Sequence, residues 1–141
     1  MKPINIVLDT NVLVSALRSR KGASHKLLTL IDNGNFQLNI SVPLFLEYEA
    51  VSLRAHLKLP LRKSDIEDIL NYLAKISNKR EIFYLWRPYL KDPKDDLVLE
   101  VAVESESKVI VTYNKKDFSG ISTFGIEVLT PKEFLLKRGL L

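Results

Sequence analysis

The chain has 141 residues, 46% hydrophobic and 27% charged, which is the size and balance of one domain over 1–141 with a single core and excludes two full domains. It has no cysteine, which excludes a disulfide framework, a thiolate nucleophile and a zinc finger or ribbon; with only His25 and His56, any metal must be held mainly by oxygen. A net charge of +4 and a pI near 9.3 permit a polyanionic partner.

The longest apolar runs fall far short of the roughly 20 residues of a membrane span. Asp9 arrives before any signal-peptide hydrophobic region can form, so no membrane association and a cytoplasmic location are expected. Basic residues group at Arg18, Arg20 and Lys21 with Lys26 nearby, at Arg62-Lys63, at Lys79-Arg80 and at Lys115-Lys116, whereas Asp92, Asp95 and Asp96 form an acidic cluster.

Residues 4–8 are rich in β-branched side chains and end at Asp9-Thr10-Asn11, so they read as a central strand delivering a polar loop. Gly22-Ala23-Ser24 opens an amphipathic helix stopped by Asn33-Gly34, and residues 36–40 alternate as a second strand. Ser41 is the expected N-cap of a helix with Pro43 in its first turn and Leu46, Ala50, Leu53 and Leu57 on one face. Ser64-Asp65-Ile66-Glu67 reads as a capping box for a helix over 64–77.

Residues 81–84 are read as a short strand, and Tyr84, Trp86 and Tyr89 around Pro88 as core or dimer-interface aromatics. Asp92-Pro93 combines an N-cap with proline at N1, residues 108–112 and 126–129 are strands by composition, and Thr130-Pro131-Lys132-Glu133 caps a last helix to about Arg138. Strands thus alternate with helices, the pattern of an α/β domain whose mostly parallel sheet is covered on both faces.

In such sheets ligands bind beyond the carboxyl ends of the strands. There the sequence offers Asp9, Thr10 and Asn11, then Ser41 and an acid a turn later, then Thr112, Asn114 and Asp117, with Asp92, Asp95 and Asp96 opening the helix before the fourth strand. Each acid alone has an ordinary role as a cap or turn former. Together they repel one another unless a hard divalent ion, Mg²⁺ or Mn²⁺, neutralises them. On a helical wheel Asp95 falls about 60° from Val98 and faces inward, while Asp96 and Glu100 fall on the opposite, solvated side. The wheel does not choose between Glu47 and Glu49.

At these positions the sequence resembles the PIN domain family over nearly its whole length. Residues 6–16, Ile-Val-Leu-Asp-Thr-Asn-Val-Leu-Val-Ser-Ala, are similar to the first family motif, whose aspartate is a metal ligand. Residues 43–49 resemble the second, whose glutamate maps onto Glu47; residues 91–96 resemble the third and 111–118 the fourth. Residues 129–135 are similar to a subgroup of toxins of toxin–antitoxin systems. The resemblance implies a three-layer, Rossmann-like α/β/α sandwich, metal-dependent cleavage of single-stranded RNA, a homodimer and an antitoxin partner.

Hydrolysing a phosphodiester needs an activated water and neutralised phosphate charge, which one or two Mg²⁺ or Mn²⁺ ions held by carboxylates supply. The expected ligands and catalytic acids are Asp9, Glu47 and Asp95, with Asp117 closing the site. Thr10, Asn11, Asp92, Asp96, Thr112 and Asn114 are expected as supporting polar groups. Arg18, Arg20, Lys21, Lys26, Lys115 and Lys116 are expected to hold RNA phosphates. Two rivals remain: an aspartyl-phosphate enzyme, disfavoured because Asn11 stands where a second acid is wanted, and a catalytically incomplete PIN-like module that binds RNA or protein.

Overall fold

The structure, a computed structural model, describes residues 3–83 and 89–141. Strand β1 (Ile4–Leu8) leads directly into helix α1 (Thr10–Arg18), followed by α2 (Ala23–Thr29), β2 (Phe36–Ile40), α3 (Val42–Arg54) and α4 (Lys63–Ile76). The chain continues through β3 (Asn78–Lys79), α5 (Pro93–Glu104), β4 (Val109–Val111), two 3₁₀ turns (Lys115–Phe118 and Ile121–Phe124), β5 (Glu127–Leu129) and α6 (Pro131–Lys137). The five strands form one sheet in the order β3-β2-β1-β4-β5, and every pairing is parallel. This is the α/β sandwich that the alternating pattern predicts. Among the described residues, no helix is long and apolar enough to cross a membrane.

Ile6, Val7 and Leu8 are all buried, as a strand covered on both faces requires. On one flank β1 is followed in sequence by its neighbour β2, on the other by the much later β4, so the strand order reverses between β1 and β4. That reversal leaves a crevice at the carboxyl edge of the sheet. Register brings the strand ends level there, with Leu8 opposite Val111 and Val111 opposite Leu129. The residues that follow, Asp9, Thr112 and Thr130, therefore emerge along one edge.

Helix α6 closes the other side of the core, where Phe134 meets Phe36 edge-on at 5.3 Å between ring centroids. Its start is the expected capping box: the Thr130 hydroxyl accepts from the Glu133 N–H at 3.2 Å, and Glu133 accepts from the Thr130 N–H at 2.9 Å.

The structure corrects three local expectations. Helix α3 buries Leu44, Tyr48 and Ser52, not the Leu46, Ala50, Leu53 and Leu57 stripe; Leu46 is exposed, and Leu57 lies beyond the helix, exposed as well. Tertiary neighbours, α5 and β1 among them, decide which stripe is covered. Helix α4 is capped two residues before its Ser64 signal, because Asp65 accepts the Arg62 backbone N–H at 3.0 Å and so serves as the third residue of a box capped at Arg62.

The edge strand lies at Asn78–Lys79, pairing with Asn39 and Ile40, and not at 81–84. The Arg80 N–H then donates to the Ile40 carbonyl at 2.7 Å and its guanidinium to Asn39 Oδ1 at 3.0 Å. Polar contacts to β2 thus fix this edge, and apolar composition pointed too far along the chain. Residues 81–83 carry no strand, and Tyr84, Trp86 and Pro88 lie outside the described residues. Tyr89 packs on Phe124 at 5.4 Å, edge to face.

Candidate active site

Asp9 caps α1 from the end of β1. One carboxylate oxygen accepts the Thr10 N–H at 2.8 Å, and the other accepts the Thr112 hydroxyl at 2.8 Å across the β1–β4 reversal. Thr112 Oγ1 in turn accepts the Asn114 N–H at 3.0 Å and the Asn11 side-chain amide at 3.4 Å. Asp9 and Thr112 are both buried. The carboxylate is thus held in one orientation by a hydroxyl that is itself oriented from two sides.

A cleft of about 370 Å³ opens in front of Asp9, walled by Thr10, Asn11, Ser15 and Arg18 from the β1–α1 segment, Glu47 from α3, Asp92, Lys94 and Asp95 from the start of α5, and Asn114 and Asp117 after β4. Burial raises the Asp9 pKa against the pull of its Thr112 and Thr10 hydrogen bonds, and the charges of Asp117 and Asp92 add to the rise. Burial, then Asp9, Asp92, Asp117 and Asp96, push Asp95 up to about 7. Two carboxyls resisting ionisation in one cleft form a site poised to take up positive charge.

The sequence places this cleft in a family. The PIN domain pattern matches residues 5–116, from β1 to the turn that carries Asn114. The chain belongs to the PIN domain family. Its fold is similar to that of a chain in the crystal structure of VapBC2 from Rickettsia felis bound to a DNA fragment from their promoter, with a TM-score of 0.56, 16% identity, and coverage of 89% of this chain and 97% of that one. No curated protein matches the chain in sequence.

Within this PIN cleft the structure resolves the choice that the helical wheel left open. Glu47 lines the cleft, while Glu49 is exposed and does not. Asp95 lines it too. Asp96 is 1% exposed and, contrary to the solvated position expected for it, accepts the Leu90 N–H at 2.8 Å. Glu100 is buried as well. The wheel failed because α5 is covered nearly all round, so no face of it is the solvent face. Asp92 caps α5 by accepting the Lys94 N–H at 2.9 Å.

The expected phosphate contacts do not form one patch. Arg18 reaches the cleft, whereas Arg20, Lys21 and Lys26 wall a separate hollow, and Lys115 is paired with Glu133 at 3.0 Å.

Two residues that the sequence reading did not assign also bear on the site. Lys94 places its ammonium 3.7 Å from Glu47 Oε1. Tyr48, buried beside Glu47, donates its hydroxyl to the Leu8 carbonyl, and burial followed by the Asp9 charge raises its pKa. Neither had a signal beyond adjacency to a motif acid. Among the described residues, no three carboxylate or imidazole side chains are gathered as a set that could hold a metal ion as they stand. The donor chemistry nevertheless fits a hard divalent cation: oxygen ligands only, two of them with raised pKa values, and an ammonium already drawn to a third.

Proposed function

We propose that this PIN domain, one domain over residues 1–141, is a Mg²⁺- or Mn²⁺-dependent endoribonuclease that cleaves single-stranded RNA, and that it is the toxin of a toxin–antitoxin pair, homodimeric and acting in the cytoplasm. The observation that carries the reading is the convergence of Asp9, Glu47, Asp95 and Asp117, from four separate parts of the chain, on one cleft at the strand-order reversal. Membership of the PIN family supports the nuclease class, and the similarity to a chain of a VapBC2 complex supports the antitoxin partner.

In this reading Asp9, Glu47, Asp95 and Asp117 would hold the divalent cation, which would supply charge neutralisation at the phosphate and acidify water. Thr112 holds one Asp9 oxygen and so fixes the orientation of the carboxylate in the cleft wall. Asn11 and Asn114, both tied to Thr112, present polar groups at the rim for water or ribose. Arg18 borders the same cleft and draws the phosphate backbone toward it. Lys94 pairs with Glu47 and would have to give way for Glu47 to hold a cation.

The test is a panel of end-labelled single-stranded RNA, duplex RNA and single-stranded DNA, each with Mn²⁺, Mg²⁺ or a chelator. Cleavage of single-stranded RNA alone, abolished by the chelator, is the expected result. RNA binding by the folded protein without cleavage under any cation is the result of an incomplete, binding-only PIN module and overturns the enzyme reading.

A further inference from the structure

Tyr113 stands between the carboxylate cleft and a second, basic hollow, and the cleft's chemistry does not account for it. Tyr113 is 44% exposed, immediately after the fully buried Thr112. The ring is nonetheless held: its hydroxyl shares a hydrogen bond with the buried Ser24 of α2, and its backbone N–H reaches Asn11 Oδ1 at 3.4 Å. On one side a hollow formed by Tyr113, Lys115 and Lys116 shares Asn114 and Asp117 with the cleft. On the other, the residues around Ser24 wall a hollow of about 430 Å³ that collects Arg20, Lys21 and Lys26 from the α2 side and Lys132 from α6, with no Asp or Glu side chain in its wall.

A fixed, exposed aromatic ring between a phosphodiester-cleaving centre and a cationic hollow has the form of a stacking platform for an unpaired base. The hydroxyl tether lowers the ordering cost of binding, because the ring is positioned before the base arrives. The hollow's lysines draw phosphate while the cleft's acids repel it, so a strand crossing Tyr113 finds its backbone attracted on the far side.

We propose that Tyr113 stacks a base flanking the scissile phosphate, and that the RNA strand continues from it into the hollow where Lys21, Lys26 and Lys132 contact its phosphates. This subsite rests on reading the cleft as an RNA nuclease.

The test uses single-stranded RNA oligonucleotides in which one nucleotide at a time is made abasic. Binding is measured by fluorescence anisotropy in chelator, and KM and kcat with Mn²⁺, for wild type, Tyr113→Ala, Tyr113→Phe and Lys132→Ala, each first shown to be folded by circular dichroism. Wild type is expected to lose about tenfold in affinity and in KM at one abasic position above all others, the scale of one base–aromatic stack. Tyr113→Ala should lose a similar factor on intact RNA and become indifferent to that position, with kcat little changed. Tyr113→Phe keeps the ring and should keep the abasic profile.

Lys132→Ala should reduce the salt dependence of binding by about one phosphate contact and leave the profile unchanged. If wild type cleaves RNA while Tyr113→Ala retains its KM for intact and abasic oligonucleotides alike, the subsite is overturned and the nuclease reading stands. Folded wild type that neither binds nor cleaves RNA overturns both.

Discussion

Tyr48 donates its hydroxyl to the carbonyl of Leu8, and so ties the helix that presents Glu47 to the strand end that presents Asp9. The two acids come from elements 38 residues apart in the chain, and this buried bond is a direct mechanical link between them. Removing the hydroxyl in Tyr48→Phe leaves the ring in place and costs about 1 kcal/mol for the lost hydrogen bond. The expected outcome is a small drop in the urea midpoint with unchanged slope and a larger, severalfold drop in kcat. An equal loss in stability and none in kcat contradicts the link.

The cleft acids give metal-free stability a definite dependence on pH. Asp95 has its pKa raised to about 7 from an ordinary 3.8, and Asp9 is raised as well, so the native state binds these protons more tightly than the unfolded chain. The associated stability is fully present below about pH 4 and is lost as pH rises through about 7. In chelator, the melting temperature of wild type should therefore fall relative to Asp95→Asn across that window. Added Mn²⁺ should stabilise wild type more above the window than below it, where protons compete for the same oxygens. A wild-type-minus-variant difference that stays flat with pH contradicts the coupling.

Lys94 is expected to compete with the cation. Its ammonium is 3.7 Å from Glu47 and more than half exposed, so as an ion pair it contributes little to folding. Lys94→Ala should change stability by less than about 0.5 kcal/mol. The Mn²⁺ concentration needed for half-maximal thermal stabilisation should fall severalfold. An unchanged or weaker Mn²⁺ response shows that the lysine does not occupy the cation's place.

Asp95 and Asp96 are adjacent and have opposite duties. Asp96→Ala leaves the buried Leu90 N–H without its acceptor and should cost about 2 kcal/mol, within the usual range for an orphaned buried donor, while the Mn²⁺ response survives. Asp95→Asn should abolish that response and leave chelated protein at least as stable as wild type. Paired urea denaturation and Mn²⁺ thermal-shift curves read both effects.

What the sequence revealed, and what it did not, follows from the range of the forces involved. Strands β1 and β2 and the caps at Asp9, Ser41, Asp92 and Thr130 are legible because turn chemistry and a covered strand's composition are local properties. That several acids follow strands or open a helix was legible in the alternation, whereas the strand order and register that line up the strand ends are read from the structure alone. The buried side of α3, the position of β3 and the burial of Asp96 were not legible either, since each depends on which distant segment packs there. Asp96 is the sharpest case: its partner is a backbone N–H that precedes the helix, a contact outside any periodicity in the helix itself. Lys94 and Tyr113 had no signal at all in spacing, and only their neighbours in space give them a role.

Whether these carboxylates make one metal-dependent nuclease centre is decided by comparing wild type and Asp9→Asn, equally folded, on the same single-stranded RNA with Mn²⁺. Asn keeps the size of the side chain and one of the two acceptors that serve Thr10 and Thr112, while removing the charge. Wild type should cleave, the variant should lose at least about 100-fold, the lower end of what mutating key catalytic groups costs, and wild type in chelator should be equally silent. Undiminished cleavage by Asp9→Asn, or cleavage that persists in chelator, would contradict such a centre.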